Sequence, residues 1–300
     1  MVPDAGRIED IDSLYICGLP NDVLRSCRAS LARDRAEGAR IAIVSLFGTP
    51  PDATVEALAG HDIAVHGFGL PASRDRHPHR RPIDGFAAEP AAEDDVCREQ
   101  AAERLHDIGH RTRVRQVYAP LGVGGHPDRR IAHEAARKAF RSGGGRDVFF
   151  YEERPDSLIR GAVRVRLAQI GARLPPAAVD AADRAPLLPF LLRFHVGPSS
   201  RGEIEGGRER LRSLPLAERF WREGRSWQPQ RARGPRLQPI VWEPSGDALL
   251  PAAGGDARTD ALAAAYGRRL RAGAHAERYW LLLPPLAGDG WEDLPLASGE

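Results

Sequence analysis

The sequence has little cysteine, a single methionine and no long hydrophobic segment. Its three cysteines, Cys17, Cys27 and Cys97, are too few for a disulfide framework or for a zinc site built from cysteines. No run of about 18 apolar residues is present, so we expect no transmembrane helix. The first ten residues lack the basic and apolar regions of a signal peptide. We therefore expect a cytoplasmic protein with no membrane partner.

Lysine is almost absent, because Lys138 is the only lysine among 43 basic residues. This excess of arginine, together with abundant alanine, glycine and proline, is typical of a GC-rich bacterial genome. The basic residues are balanced by 41 acidic ones, which leaves a net charge of +2. Nucleic-acid binders usually carry a clear basic excess, so we expect no nucleic-acid partner.

Strand-like and helix-like segments alternate over the first 150 residues. The strand-like segments are 14–18, 41–47, 62–66, 114–119 and 147–152, and the helix-like segments are 21–37, 93–108 and 131–140. Residues 41–47 are almost continuously apolar, which is typical of a strand covered on both faces. The alternation predicts an α/β fold with a Rossmann-like, doubly wound and mostly parallel sheet.

The second half of the chain is less regular. Residues 187–195 are compatible with a strand, 259–271 with a helix, and 279–283 form a short apolar run. Neither an internal repeat nor a clear linker is present. We therefore predict a single domain over residues 1–300, with a core at about 10–155 and an irregular elaboration at about 156–300.

Two segments follow strands of the predicted sheet. The first, residues 18–22, reads Gly-Leu-Pro-Asn-Asp, and the second, residues 122–129, is rich in glycine and contains His126. Ligands of open α/β sheets bind beyond the carboxyl ends of the strands. We therefore expect Asp22 and His126 at the same edge of the sheet.

Short stretches spaced along most of the chain match one family pattern. They are Cys27, Leu31-Ala32-Arg33, Ala36-Glu37-Gly38, the strand-like 40–47, residues 120–128 (PLGVGGHPD), residues 150–155 (FYEERP) and residues 277–280 (ERYW). In this order they resemble the PIG-L/LmbE-like family of zinc-dependent N-deacetylases. The resemblance implies a Rossmann-like fold and a pocket for an N-acyl amino sugar or a related metabolite.

The first family motif, His-x-Asp-Asp, supplies a zinc-binding His, a general-base Asp and a zinc-binding Asp. An ungapped alignment from Cys27 places Leu19, Asn21 and Asp22 at these positions. Leucine cannot coordinate a metal, and a neutral amide cannot take a proton from a metal-bound water. Of this motif, the resemblance therefore retains only Asp22.

The second motif, His-x-Asp-His, supplies a His that assists the tetrahedral intermediate, an Asp that orients it, and a zinc-binding His. These positions hold His126, Asp128 and Arg129. Arginine has no lone pair to give to a metal, and a catalytic zinc needs about three protein ligands. We therefore expect no metal cofactor, a retained pair His126–Asp128 as candidate catalytic residues, and a binding role for Asn21, Asp22 and Arg129.

The leading hypothesis is a metal-free relative of the deacetylases that keeps an amino-sugar-like pocket but has lost N-deacetylation. One alternative is an active N-deacetylase whose zinc is held by Asp22, His126 and a further ligand such as His66 or His77. Another is a protein that regulates a partner protein. Because His77 lies with His79 in an arginine-rich segment, we expect it in a solvated loop over residues 71–91.

The loss of a metal would leave the carboxylate of Asp22 without a counter-charge. A guanidinium at position 129 suits a carboxylate, because it donates two parallel hydrogen bonds. We therefore predict an Asp22–Arg129 ion pair within about 4 Å. Leu19 is expected to pack beside the pair, and Asn21 to face the pocket.

Overall fold

The structure is a computed structural model. It describes residues 11–49, 52–78, 91–140, 145–154, 156–158, 162–176, 226–242 and 276–284, together with residues 178, 264, 267, 270 and 272.

Seven strands and seven helices make up the described elements. In chain order they are β1 (Ser13–Cys17), α1 (Pro20–Ser26), α2 (Arg28–Ala36), β2 (Ile41–Phe47), α3 (Asp52–Ala59), β3 (Ile63–Leu70), α4 (Ser73–Arg76), α5 (Ala92–Arg111), β4 (Gln116–Pro120), α6 (Pro127–Ala139), β5 (Asp147–Tyr151), α7 (Ala162–Gln169), β6 (Leu237–Trp242) and β7 (Glu277–Leu282). A short 3-10 helix, Asp156–Leu158, lies between β5 and α7.

The strands form one sheet in the order β3-β2-β1-β4-β5-β7-β6. The first five of these strands are parallel, and β7 and β6 continue the sheet in antiparallel pairing. The fold is therefore α/β with a mostly parallel sheet, as the sequence predicts. The strand order reverses between β1 and β4, and such a reversal opens a crevice at the carboxyl ends of the two strands.

Hydrophobic cores cover both faces of the sheet. On one face Leu14, Ile16 and Val44 belong to a cluster that includes residues of α5 and α6. On the other face Tyr15 and Ile43 belong to a cluster that includes residues of α1 and α2. Every residue of β2 is buried, which explains its continuous apolar sequence.

The helix predicted over residues 21–37 is two helices that are separated at Cys27. The backbone N–H groups of Ala29 and Ser30, at the start of α2, donate to the two carboxylate oxygens of Glu277 at 2.8 and 3.0 Å. A carboxylate at this position satisfies free amides and favours the positive end of the helix dipole. The first turn of α2 is therefore capped by a residue of β7.

The segment 71–78 differs from the prediction of a solvated loop. It contains α4, and the side chains of Arg76 and His77 are 3% and 7% exposed. His79 and the predicted strand 187–195 lie outside the described residues, as does most of the predicted helix 259–271. Among the helices that the structure describes, none has the length and apolar character needed to cross a membrane.

Candidate functional site

The turn after β1 and the loop after β4 meet at the point where the strand order reverses. Gly18 lies between them: a Cβ atom built there would be 3.5 Å from Oδ2 of Asp22 and 3.8 Å from Cβ of Asp128. Asp22 is in the first turn of α1, and Asp128 is in the first turn of α6. The two sequence motifs therefore converge at one edge of the sheet, as predicted.

A buried carboxylate holds the glycine-rich loop after β4. Glu153 accepts hydrogen bonds from the backbone N–H of Gly122 at 2.6 Å and of Val123 at 3.0 Å. Gly122 has a φ of 82°, a conformation that favours glycine. Burial raises the pKa of Glu153 to about 8, although nearby Arg129 acts in the opposite direction.

Arg129 bridges two carboxylates in the centre of the site. Its Nη2 donates to Oδ1 of Asp22 at 2.9 Å, and its Nη1 donates to Oδ2 of Asp156. The three side chains are between 9% and 14% exposed. The predicted Asp22–Arg129 ion pair is therefore confirmed, and it is one half of a carboxylate–guanidinium–carboxylate bridge.

Burial and the ion pairs of the bridge shift the pKa values of Asp156 and Arg129. Burial raises the pKa of Asp156 to about 6, although Arg129 lowers it. Burial also disfavours the charged form of Arg129, but Asp22 and Asp156 keep its pKa above the ordinary arginine value. Arg129 is thus a fixed positive charge between the two carboxylates.

A second guanidinium bridge lies beside the first. Arg76 pairs with Asp94 and with Asp128, each at 2.9 Å, and Nε2 of His77 lies 2.7 Å from Oδ1 of Asp94. The backbone N–H of Ser73 also donates to both carboxylate oxygens of Asp128. These contacts explain why the side chains of Arg76 and His77 are buried: each pairs with a carboxylate on the protein.

His126 and Asp128 are neighbours, but their side chains do not form a histidine–carboxylate hydrogen bond. Nδ1 of His126 accepts from the backbone N–H of Asp128 at 3.3 Å and lies 4.0 Å from Oδ2 of Asp128. His126 is the N-cap residue of α6 and is 53% exposed. Partial desolvation lowers the pKa of His126, whereas Asp128 raises it.

Leu19 and Asn21 lie at the rim of the site. Leu19 is 49% exposed, so at most half of it can pack beside the ion pair as expected. As the N-cap residue of α1 it has an extended backbone. Asn21 is also exposed.

The residues at this edge do not fit a zinc ion. The guanidinium of Arg129 occupies the space between Asp22 and Asp156, and His77 is bound to Asp94. Throughout the part of the chain that the structure describes, no three His, Cys, Asp or Glu side chains gather in a way that could hold a metal. The set Asp22, His126 and His66 or His77 is therefore not assembled.

Sequence reasoning missed Glu153, Asp156 and Arg76. Glu153 and Asp156 follow directly after the apolar strand β5, so they stand at the carboxyl end of a parallel strand. That position was an available signal for site residues. Arg76 carried no such signal, because its partners lie on α5 and α6.

Comparisons with known proteins support the fold. No protein-family model matches the chain, and no curated protein sequence matches it significantly. A deacetylase from the biosynthesis pathway of teicoplanin is similar in structure, with a TM-score of 0.52, 14% identity, and coverage of 91% of this chain and 98% of that chain. The A40926 pseudoaglycone deacetylase Dbv21 gives a TM-score of 0.50 with 14% identity over 91% of this chain and 97% of that chain. The chain thus has the fold of these deacetylases.

Proposed function

We propose that this protein is a deacetylase-fold protein that has lost zinc-dependent N-deacetylation and binds a small, amino-sugar-like ligand. The observation that carries the proposal is the position of Arg129 between Asp22 and Asp156. A guanidinium in this place supplies the counter-charge for both carboxylates. It also engages Oδ1 of Asp22, so this oxygen is not available to a metal.

The chemistry that remains does not favour amide hydrolysis. Asn21 cannot act as a general base, because an amide takes no proton at neutral pH. Nδ1 of His126 is occupied by the backbone N–H of Asp128, and the carboxylate of Asp128 is held by Arg76 and Ser73. Among the described residues of the site, no side chain is therefore poised to activate a water molecule for attack.

The rim of the site favours a neutral, polar ligand. The charges beneath it are paired within the protein, as Arg129 is with Asp22. The exposed groups are the amide of Asn21, the imidazole of His126 and the apolar side chain of Leu19. Amide and imidazole groups hydrogen-bond to hydroxyl and acylamino groups, which are the functional groups of an N-acyl amino sugar.

We also propose the domain organisation, location, cofactor and partners that the sequence predicts. The chain is proposed to be one domain over residues 1–300 that works in the cytoplasm without a metal cofactor. Its ligand is a small molecule, and nucleic acid and membranes are not its targets. A second protein as a partner is compatible with this function.

The test combines a binding measurement with an activity measurement. N-Acetylglucosamine is titrated into the wild type, into Asn21→Ala and His126→Ala, and into His110→Ala, a control for an exposed histidine on α5. We expect the two site variants to weaken binding by about ten-fold each, the cost of roughly one or two lost hydrogen bonds, and the control to match the wild type.

The activity arm measures acetate release from the same sugar with and without added zinc. We expect no release above the rate without protein. Turnover in the ordinary range of about 1–1000 per second would show an active N-deacetylase and overturn the proposal. Equal affinity of the wild type and the two site variants for the sugar would overturn the proposal that Asn21 and His126 line the ligand pocket.

A further inference from the structure

Two buried side chains hold consecutive carbonyl groups at the end of β4. Nδ1 of His133, on α6, lies 3.0 Å from the carbonyl oxygen of Pro120, and Nε of Arg166, on α7, donates to that of Leu121 at 2.8 Å. His133 is fully buried and Arg166 is 4% exposed. The imidazole and the guanidinium therefore converge from two helices on the same stretch of backbone, below the glycine-rich loop.

Each of these side chains has one buried nitrogen without a hydrogen-bond partner. They are Nε2 of His133 and Nη2 of Arg166. The carbonyl of Pro120 can only accept, so Nδ1 of His133 carries its proton. Burial, and after it the charge of Arg166, hold the pKa of His133 well below the ordinary value, so the ring is neutral. Nε2 of His133 is consequently an acceptor and Nη2 of Arg166 a donor, and both lack partners.

A further guanidinium belongs to the same group. Arg137 lies one helical turn after His133, and burial lowers its pKa. Within the part of the chain that the structure describes, neither Arg137 nor Arg166 forms an ion pair. Burial, and then the charges of Arg130 and Arg137, lower the pKa of Arg166 to about 10, although Glu134 and Glu153 act in the opposite direction.

Glu134 and Glu153 act on Arg166 through space, but their direct contacts are with other groups. Glu134 pairs with Arg98 at 3.5 Å, and both oxygens of Glu153 accept from the loop amides. The charge of Arg137 disfavours that of Arg166, and burying a cation without a directly paired counter-charge is costly. An anion is the chemical species that would relieve both costs.

We propose that Arg166, Arg137 and His133 form a binding site for hydrogen phosphate or for the phosphate group of a phosphomonoester. The negative oxygens suit the guanidinium groups, which bind phosphate in a forked geometry. The P–O–H group suits Nε2 of His133, because that nitrogen can only accept. Sulfate offers no such proton near neutral pH, so the site distinguishes the two anions.

The test measures anion binding by calorimetry at pH 6.5 and matched ionic strength. Inorganic phosphate, methyl phosphate and sulfate are titrated into the wild type, into Arg137→Gln and into Arg166→Met, with Arg111→Gln as an exposed arginine control on α5. We expect one phosphate per chain in the wild type and in Arg111→Gln, and affinity reduced by about ten-fold or more in the other two variants, as for loss of a charge-assisted hydrogen bond. Arg137 is only half-buried, so Arg137→Gln keeps the test valid if Arg166→Met does not fold.

Each outcome decides the proposal. Binding of inorganic phosphate, of methyl phosphate or of both supports the site, and the tighter of the two identifies its source as the free ion or an ester. Absence of phosphate binding up to about 10 mM, which is weaker than ordinary small-ion recognition, overturns it. Undiminished binding in Arg137→Gln also overturns it. Equal affinity for sulfate and phosphate overturns the assigned role of His133.

Discussion

Arg129 and Asp22 are 107 residues apart in the chain, yet Nη2 of Arg129 lies 2.9 Å from Oδ1 of Asp22. The pair joins the first turn of α1 to the first turn of α6, at the point where the strand order of the sheet reverses. A protein of this fold therefore has an internal cation at the place where the resemblance to zinc-dependent deacetylases implies a metal.

Replacement of Arg129 tests how much the fold depends on this cation. Arg129→Ala leaves the carboxylates of Asp22 and Asp156 buried without a counter-charge, so we expect the free energy of unfolding to fall by about 3–5 kcal/mol. Chemical denaturation measures the change. Arg74→Ala serves as the control, because Arg74 is 88% exposed. A loss of less than about 1 kcal/mol in Arg129→Ala would mean that the pair behaves like a surface ion pair.

Glu153 gives the stability a measurable pH dependence. Its pKa in the folded protein is about 8, above the ordinary value of 4.5. A raised carboxyl pKa favours the protonated form in the folded state, so this contribution lowers the free energy of unfolding as the pH rises from about 4.5 to 8. Glu153→Gln cannot ionise. We expect the stability of the wild type minus that of Glu153→Gln to decrease over this range, and a difference that is constant with pH would refute the assignment.

Several parts of the fold could be predicted because local sequence determines them. The residues of β2 are apolar because both faces of the strand are buried, and this pattern is visible without the structure. The break at Cys27 could not be predicted, because the cap of α2 is Glu277, about 250 residues later in the chain. The burial of Arg76 likewise depends on Asp94 and Asp128, which only the folded chain brings together.

The second guanidinium bridge is expected to hold α4 on the protein. Arg76→Ala removes the cation between Asp94 and Asp128, and breaking such buried pairs costs about 3–5 kcal/mol. We expect this loss in thermal or chemical unfolding, together with faster proteolytic cleavage within residues 71–78. Arg74→Ala, on the same short helix, should change the free energy of unfolding by no more than about 0.5 kcal/mol and should leave the rate of proteolysis unchanged. Unchanged proteolysis of Arg76→Ala would contradict the bridge.

Glu277 is expected to stabilise α2 from a distance. Glu277→Ala leaves the amides of Ala29 and Ser30 without an acceptor, which we expect to cost about 2–4 kcal/mol from a lost cap and lost charged hydrogen bonds. Glu277→Gln keeps one carbonyl acceptor and should lose about half as much. Amide hydrogen exchange of Ala29 and Ser30 reports the effect locally, and unchanged protection in Glu277→Ala would disprove the cap.

The most direct test of the central claim, that Arg129 takes the place of a metal, is a calorimetric titration with zinc. It compares the wild type with Leu19→His/Asn21→Asp/Arg129→His, which restores the residues of the two family motifs. Both proteins are made in a His106→Asn/His110→Asn background, because the exposed Nε2 atoms of these residues are 2.8 Å apart and exposed imidazoles are common ligands of added divalent ions. We predict no zinc binding at this edge in the wild type, and one zinc per chain in the restored variant, lost again with Asp22→Asn. One tightly bound zinc in the wild type that is lost with Asp22→Asn would contradict the claim.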